Sequence, residues 1–71
     1  MNEQELAQAM MDFLNNAFEA AIDGDVDVPE ELSEVRDMRT FEEAGVLTRN
    51  AGIVLRMRGG DEYQISIVKS R

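Results

Sequence analysis

The segment Asp23–Glu34, DGDVDVPEELSE, holds the densest group of side chains in the chain that could do chemistry. Its six carboxylates are those of Asp23, Asp25, Asp27, Glu30, Glu31 and Glu34. Carboxylate oxygens are the ligands that Ca²⁺ prefers, and they also form charge-assisted hydrogen bonds with lysine and arginine. The segment therefore raises two hypotheses, a calcium site and an acidic surface that contacts a partner.

The spacing of these carboxylates is similar to that of a calcium-binding loop between two helices. The three aspartates match loop positions 1, 3 and 5, and Glu31 and Glu34 match positions 9 and 12, so this much resembles an EF-hand. Val28 stands at position 6, where the sharp turn requires glycine. A helix that begins at Pro29 would also take up the second half of the loop. We therefore interpret the segment as an acidic linker that leads into a helix, and we predict no bound metal.

Catalytic chemistry has little support in this sequence. The 71 residues include no cysteine and no histidine, so the chain lacks a thiolate nucleophile and the commonest general base. The serines have no histidine to activate them, and there is no glycine-rich phosphate loop. A domain of this size also offers little concave surface for an active site. The sequence predicts no enzyme, no catalytic residue and no cofactor.

Charge is unevenly distributed along the chain. Residues 1–35 carry ten acidic and no basic side chains, and residues 36–71 carry seven basic and five acidic ones, so that −10 and +2 give the net charge of −8. A field of this sign disfavours direct binding to nucleic acid. It favours either a solubilising face or a surface that competes for the basic, nucleic-acid-binding site of another protein.

The N-terminal residues do not read as a targeting signal. Residues 1–20 contain Glu3 and Glu5 but no lysine or arginine, whereas a secretory signal begins with positive charge. The longest apolar runs extend over a few residues, far short of a membrane span. We expect a cytoplasmic protein with no membrane partner.

Residues 3–22 predict a long helix, because apolar side chains recur at helical spacing. The apolar arc is wider than one small sheet requires. We expect most of the arc in the core, including Met10, Phe13 and Phe18. Met11 and Ile22 lie at the edge of the arc, where we expect contact with a second helix or with another chain.

Residues 28–39 predict a second, shorter helix that begins near Pro29, because apolar side chains recur every third residue. These side chains are Leu32, Val35 and Met38. Residues 40–45 predict one further helical turn, in which Thr40 and Glu43 form a capping box.

Residues 52–57 and 62–68 predict the two strands of a C-terminal β-hairpin. A three-residue loop, Gly59–Gly60–Asp61, would place the apolar side chains of both strands on one face and would pair Arg58 with Glu62. A third strand is possible at residues 46–48.

The outer face of this hairpin carries the second group of candidate binding residues. Arg56 and Arg58 alternate with apolar residues along the first strand. Arginines in such positions protect sheets against aggregation, and arginine is also enriched at the centres of protein interfaces.

Together these elements predict an α+β fold in a single domain that covers residues 1–71. A long N-terminal helix and a shorter helix would pack on one face of a two- or three-stranded antiparallel sheet that ends in the β-hairpin.

We expect a non-enzymatic acidic module that binds another protein and occludes its basic or nucleic-acid-binding surface. The carboxylates of residues 23–34 would make the contact, with Arg56 and Arg58 as the other candidate surface. In size and charge the chain is similar to small inhibitors from phages and mobile elements, including anti-CRISPR proteins, which present acidic surfaces to basic channels. The alternative is a homo-oligomer, such as a homodimer, assembled through the broad apolar face of the first helix with Met11 and Ile22 as contacts.

Overall fold

The computed structural model describes residues 1–71 and has an α+β fold. Its elements, in chain order, are α1 (Glu3–Ile22), α2 (Glu30–Ser33), β1 (Val35–Thr40), α3 (Phe41–Ala44), β2 (Ala51–Met57) and β3 (Glu62–Ile67). The strands form one antiparallel sheet in the order β1-β2-β3, so β2 is central. Helix α1 lies against β1 and β2, and α3 contacts the same two strands. The predicted α+β fold with its C-terminal hairpin is confirmed.

The core lies between one side of α1 and the central strand. Its buried members are Ala7, Met11, Ala51, Ile53 and Leu55. Partly buried side chains of the sheet and its edges complete it, namely Val35, Met38, Met57 and Ile67. Ala7, the least exposed residue of α1, is part of this contact between helix and sheet. Burial of a large side chain such as Ile53 stabilises the fold by about 1.5–3 kcal/mol.

Helix α1 has a distinct cap at each end. Asn2 Oδ1 accepts a hydrogen bond from a backbone N–H of the first turn, at 2.8 Å. At the other end the Gly24 N–H donates to the Ala21 carbonyl at 3.1 Å. The Asp25 N–H donates to the Ala20 carbonyl at 2.9 Å, which completes a Schellman motif. Neither α1 nor any other helix is both long enough and apolar enough to cross a lipid bilayer.

Strand β1 corrects the prediction of a helix over residues 28–39. Only Glu30–Ser33 is helical, and the residues that follow pair with β2. The register shifts between Val35 and Asp37, where a β-bulge accommodates an extra residue. Because of the bulge, Val35 and Met38 both pack against the core although they are three residues apart. That spacing of three imitates the helical repeat in the sequence.

The short helix α3 has the predicted capping box. Thr40 Oγ1 accepts a hydrogen bond from the Glu43 N–H at 3.2 Å, and Glu43 Oε1 accepts one from the Thr40 N–H at 3.3 Å. This turn buries Phe41 beside Gly52 of β2, and a Cβ at Gly52 would come within 2.5 Å of the Phe41 ring. Residues 46–48, considered for a third strand, form no strand.

The hairpin loop begins one residue earlier than predicted. The Met57 N–H donates to the Asp61 carbonyl at 2.8 Å, and the Gly60 N–H donates to the Met57 carbonyl at 3.0 Å. The loop is therefore Arg58–Gly60. Gly60 has a φ of +97° and occupies the left-handed position that ends a three-residue loop. The predicted loop would have required Asp61 in that conformation.

The register of β2 and β3 consequently differs by two residues from the predicted one. Leu55 pairs with Tyr63, and Ile53 pairs with Ile65. Since a shift of two residues preserves the alternation of side chains, the apolar sets of the two strands still share one face.

Candidate functional site

The acidic segment, residues 23–34, joins α1 to β1 and lies on the surface. All of its carboxylate residues are exposed: Asp23, Asp25, Asp27, Glu30, Glu31 and Glu34. The two salt bridges of the structure, Arg39–Asp37 and Arg56–Glu62, both lie outside this segment. Six negative charges therefore face water without a bonded cation.

Hydrogen bonds within the acidic segment and to the end of α1 hold its backbone in place. Its first residues form the Schellman ending of α1, and its second half is the single turn α2. The N–H groups of Leu32 and Ser33 donate to the Pro29 carbonyl at 2.9 and 3.2 Å. Val28 and Leu32 are half-buried, whereas Val26 and all six carboxylates are exposed to solvent.

The carboxylates of the acidic segment do not reproduce the geometry of a calcium loop. The first aspartates belong to the end of α1, and Glu30 and Glu31 lie in the helix α2. The carboxylates therefore do not lie in one continuous loop. No three acidic side chains of the chain lie close enough together to hold a metal ion. The similarity to an EF-hand is one of spacing in the sequence alone.

The second candidate surface, around Arg56 and Arg58, contains one ion pair, which Arg56 forms with Glu62. Arg56 stands between Asp37 of β1 and Glu62 of β3, and its Nε lies 3.3 Å from Glu62 Oε1. The predicted pairing of Arg58 with Glu62 is therefore wrong, and Arg58 lies in the hairpin loop. Arg39 is bonded to Asp37 at 3.2 Å. Exposed ion pairs contribute only about 0–1 kcal/mol to stability, but these two pairs neutralise part of the positive charge that would attract an acidic partner.

Helix α1 presents different residues from those expected. Met11, a predicted oligomer contact, is 6% exposed and belongs to the core, whereas Met10 and Phe13 are 41% and 72% exposed. The physical reason is that α1 rests on the sheet through Ala7 and Met11, one turn apart, on the flank of its apolar arc. Ile22 is 85% exposed and stays a candidate contact.

A polar cleft of about 290 Å³ lies between the first turns of α1, α3 and the loop before β2. Gln4, Glu42 and Arg49 are among the residues that line it. Sequence reasoning missed this cleft because its lining comes from three separate segments. None of its polar side chains is buried, so the cleft presents hydrogen-bonding groups that stay in contact with solvent.

Comparison with known proteins assigns no family to the chain. No protein-family model, no curated protein sequence and no solved structure gives a significant match to it.

Proposed function

We propose that the protein is a non-enzymatic acidic module that binds another protein and covers its basic, nucleic-acid-binding surface. The observation that carries this proposal is the acidic segment, whose six carboxylates are exposed and form no salt bridge. A groove that binds nucleic acid presents the complementary charge. Occupation of that groove would be inhibitory, because the same lysines and arginines bind the phosphates.

The charges of the acidic segment are close enough to act together. Neighbouring carboxylates are one to three residues apart in the sequence, a separation comparable to the Debye length of roughly 8 Å at physiological ionic strength. Their mutual repulsion is not relieved within the free protein. The cations of a partner would relieve it, would accelerate association, and would make the affinity fall as salt rises.

The experiment that tests this proposal reverses the charge of Asp23, Asp25 and Asp27 together, each to lysine. Tagged wild type is used to capture partners from lysate of the cells that naturally contain the protein, and mass spectrometry identifies them. We expect one stoichiometric nucleic-acid-binding protein that high salt releases and that the triple variant fails to capture. Circular dichroism of the variant should match that of the wild type, because all three side chains are exposed.

A matched control carries the same net charge with the changes dispersed over the surface. Glu5→Lys, Glu19→Lys and Glu42→Lys alter exposed residues outside the acidic segment, and this variant should keep the partner. With the partner purified, the wild type should also displace its nucleic acid. Retained binding by the Asp23/Asp25/Asp27 variant would place the contact elsewhere on the chain and contradict the proposal. An equal loss of partner binding in the control variant would show that binding depends on net charge and not on the acidic segment.

A further inference from the structure

The sheet has two edge strands, and only β1 is protected against pairing with another chain. Strand β1 contains the bulge between Val35 and Asp37 and carries Arg36 and Arg39. Bulges and charged side chains are the devices that prevent edge-to-edge pairing. Strand β3 pairs with β2 without a register shift, and Glu62 is its one charged residue.

The free edge of β3 presents the backbone groups of alternate residues. The hydrogen bond from the Met57 N–H to the Asp61 carbonyl identifies these two residues as a hydrogen-bonded pair of the hairpin. Such pairs alternate along an antiparallel ladder. The residues that bond to β2 are therefore Tyr63, Ile65 and Ile67. The residues that direct their N–H and C=O groups outward are Glu62, Gln64 and Ser66.

The helix-facing side of β3 is incompletely covered. Tyr63 and Ile65, whose side chains lie on this side, are 54% and 39% exposed. An exposed stripe on one face of α1 accompanies them, formed by Leu6, Met10 and Phe13. Leu6 and Ile67 line the same cleft, which places the stripe on the β3 side of the helix. The free edge is thus bordered by an apolar surface of the kind that marks interaction sites.

We propose that this surface is an interface between two copies of the chain, joined by antiparallel pairing of β3 with β3 of the second copy. A two-fold axis at Ile65 places Gln64 opposite Ser66 of the second copy. Both residues direct their backbone groups outward, so they can exchange N–H···O=C bonds across the axis. The inference concerns self-association and does not depend on the proposed function.

This pairing is complementary in polarity and in charge. Tyr63 lies opposite Ile67 of the second copy on the helix-facing side, next to the Ile65 pair on the axis. Beyond the strand ends, Asp61 lies opposite Lys69 of the second copy, and symmetry repeats this opposite-charge pair at the other end. The bulged and charged edge of β1 allows no comparable pairing. The product is one six-stranded sheet, three strands from each copy, with both α1 helices on the same side.

The mass of the protein in solution tests the proposal. Sedimentation velocity over roughly 1–100 µM, the range of a weak dimer, should show a species of twice the 8.0 kDa chain mass. Ile65→Lys places two like charges at the axis and should raise the dimer Kd at least about a hundredfold. Ile22→Lys is the comparison variant, because Ile22 is 85% exposed and is the contact expected if the dimer formed through α1 instead of β3. It should leave the dimer Kd unchanged.

The register is tested by exchanging the charges of Asp61 and Lys69, which are both exposed. Asp61→Lys or Lys69→Asp alone should raise the dimer Kd about tenfold, because each creates two like-charge pairs. The double variant should restore the wild-type Kd. These variants also keep the proposal falsifiable if Ile65→Lys fails to fold.

Several results would overturn the proposal. One is a wild type that stays at monomer mass over the whole concentration range. Another is a dimer that is lost with Ile22→Lys and retained with Ile65→Lys. A double charge exchange that binds no more tightly than the single variants would exclude the proposed register of the β3 pairing, with its axis at Ile65. If the wild type is monomeric and Ile65→Lys abolishes capture of a different protein, the surface belongs to that partner.

Discussion

Met10 and Met11 are neighbours in the sequence with the same side chain, yet only Met11 is buried. Met11 belongs, with Ala7, to the side of α1 that lies on the sheet. Met10 belongs, with Leu6 and Phe13, to the side that faces β3 and stays exposed. The two methionines differ in burial because α1 packs chiefly on β1 and β2 of the three-stranded sheet. The apolar arc of a helix therefore indicates how much surface the helix could bury, and its position over the sheet decides how much it does bury.

The largest expected effect separates the two methionines. Met11→Ala removes core volume and should lower the free energy of unfolding by about 2–5 kcal/mol. Met10→Ala, the matched control on the exposed side, should lower it by less than about 1 kcal/mol. Urea unfolding followed by circular dichroism, at concentrations where the chain is monomeric, measures both values. Equal losses would mean that the two sides of α1 are equally packed.

A pair of glycines extends the comparison to the backbone. Gly52 is buried, and a methyl group there would collide with the Phe41 ring and with the Ile65 carbonyl. Gly52→Ala should therefore lower the free energy of unfolding by about 1–3 kcal/mol. Gly59 has nothing within 4 Å of the position of a Cβ, so Gly59→Ala should change it by less than about 1 kcal/mol. Thermal unfolding of both variants checks this, and a neutral Gly52→Ala would refute the close approach of Phe41.

The smallest expected change in monomer stability is at Phe13. Phe13→Ser alters an exposed side chain and should change the free energy of unfolding of the monomer by less than about 0.5 kcal/mol. The same change removes apolar surface beside β3, so we expect it to raise the dimer Kd about tenfold. Chemical unfolding at low concentration and sedimentation at high concentration measure the two quantities separately. A loss of about 2 kcal/mol or more in the monomer would show that Phe13 is packed within its own chain.

The elements whose stabilising hydrogen bonds join residues close together in the sequence could be predicted from the sequence. Helix α1 begins at its Asn2 cap, and α3 forms through a capping box in which Thr40 and Glu43 bond to each other. Each of these contacts closes within four residues, so the residue types and their spacing contain the information. The exposure of the acidic segment could be predicted for the same reason, since adjacent like charges have no local partner.

The strand pairings could not be predicted in this way. The bulge in β1 gives Val35 and Met38 a spacing of three, and no local feature distinguishes that spacing from one turn of helix. In the hairpin, the residue in the left-handed conformation fixes where the loop ends, and the sequence leaves Gly60 and Asp61 as alternatives for it, since aspartate also tolerates that conformation. The choice between them moves the register by two residues.

Electrostatic compensation on the sheet depends on these same pairings. The sequence of its own strand shows Arg56 as a positive charge without a partner. Asp37 and Glu62 flank it only once β1 and β3 are placed on either side of β2. The side of α1 that faces the sheet could likewise not be predicted, because the apolar arc includes both Met10 and Met11. Contact with the sheet decides which of the two is buried.

The acidic segment is fastened at both of its ends. The Schellman bonds fix its start to the last turn of α1, and the Glu34 carbonyl at its end accepts a hydrogen bond from the Arg58 N–H at 2.8 Å. The chain has thus already lost much of the segment's conformational entropy on folding, and a partner that docks on it has little left to order. A disordered acidic tail of equal charge would lose more conformational entropy when it binds. For the partner proposed above, the acidic segment would therefore keep a larger share of the electrostatic attraction as net affinity.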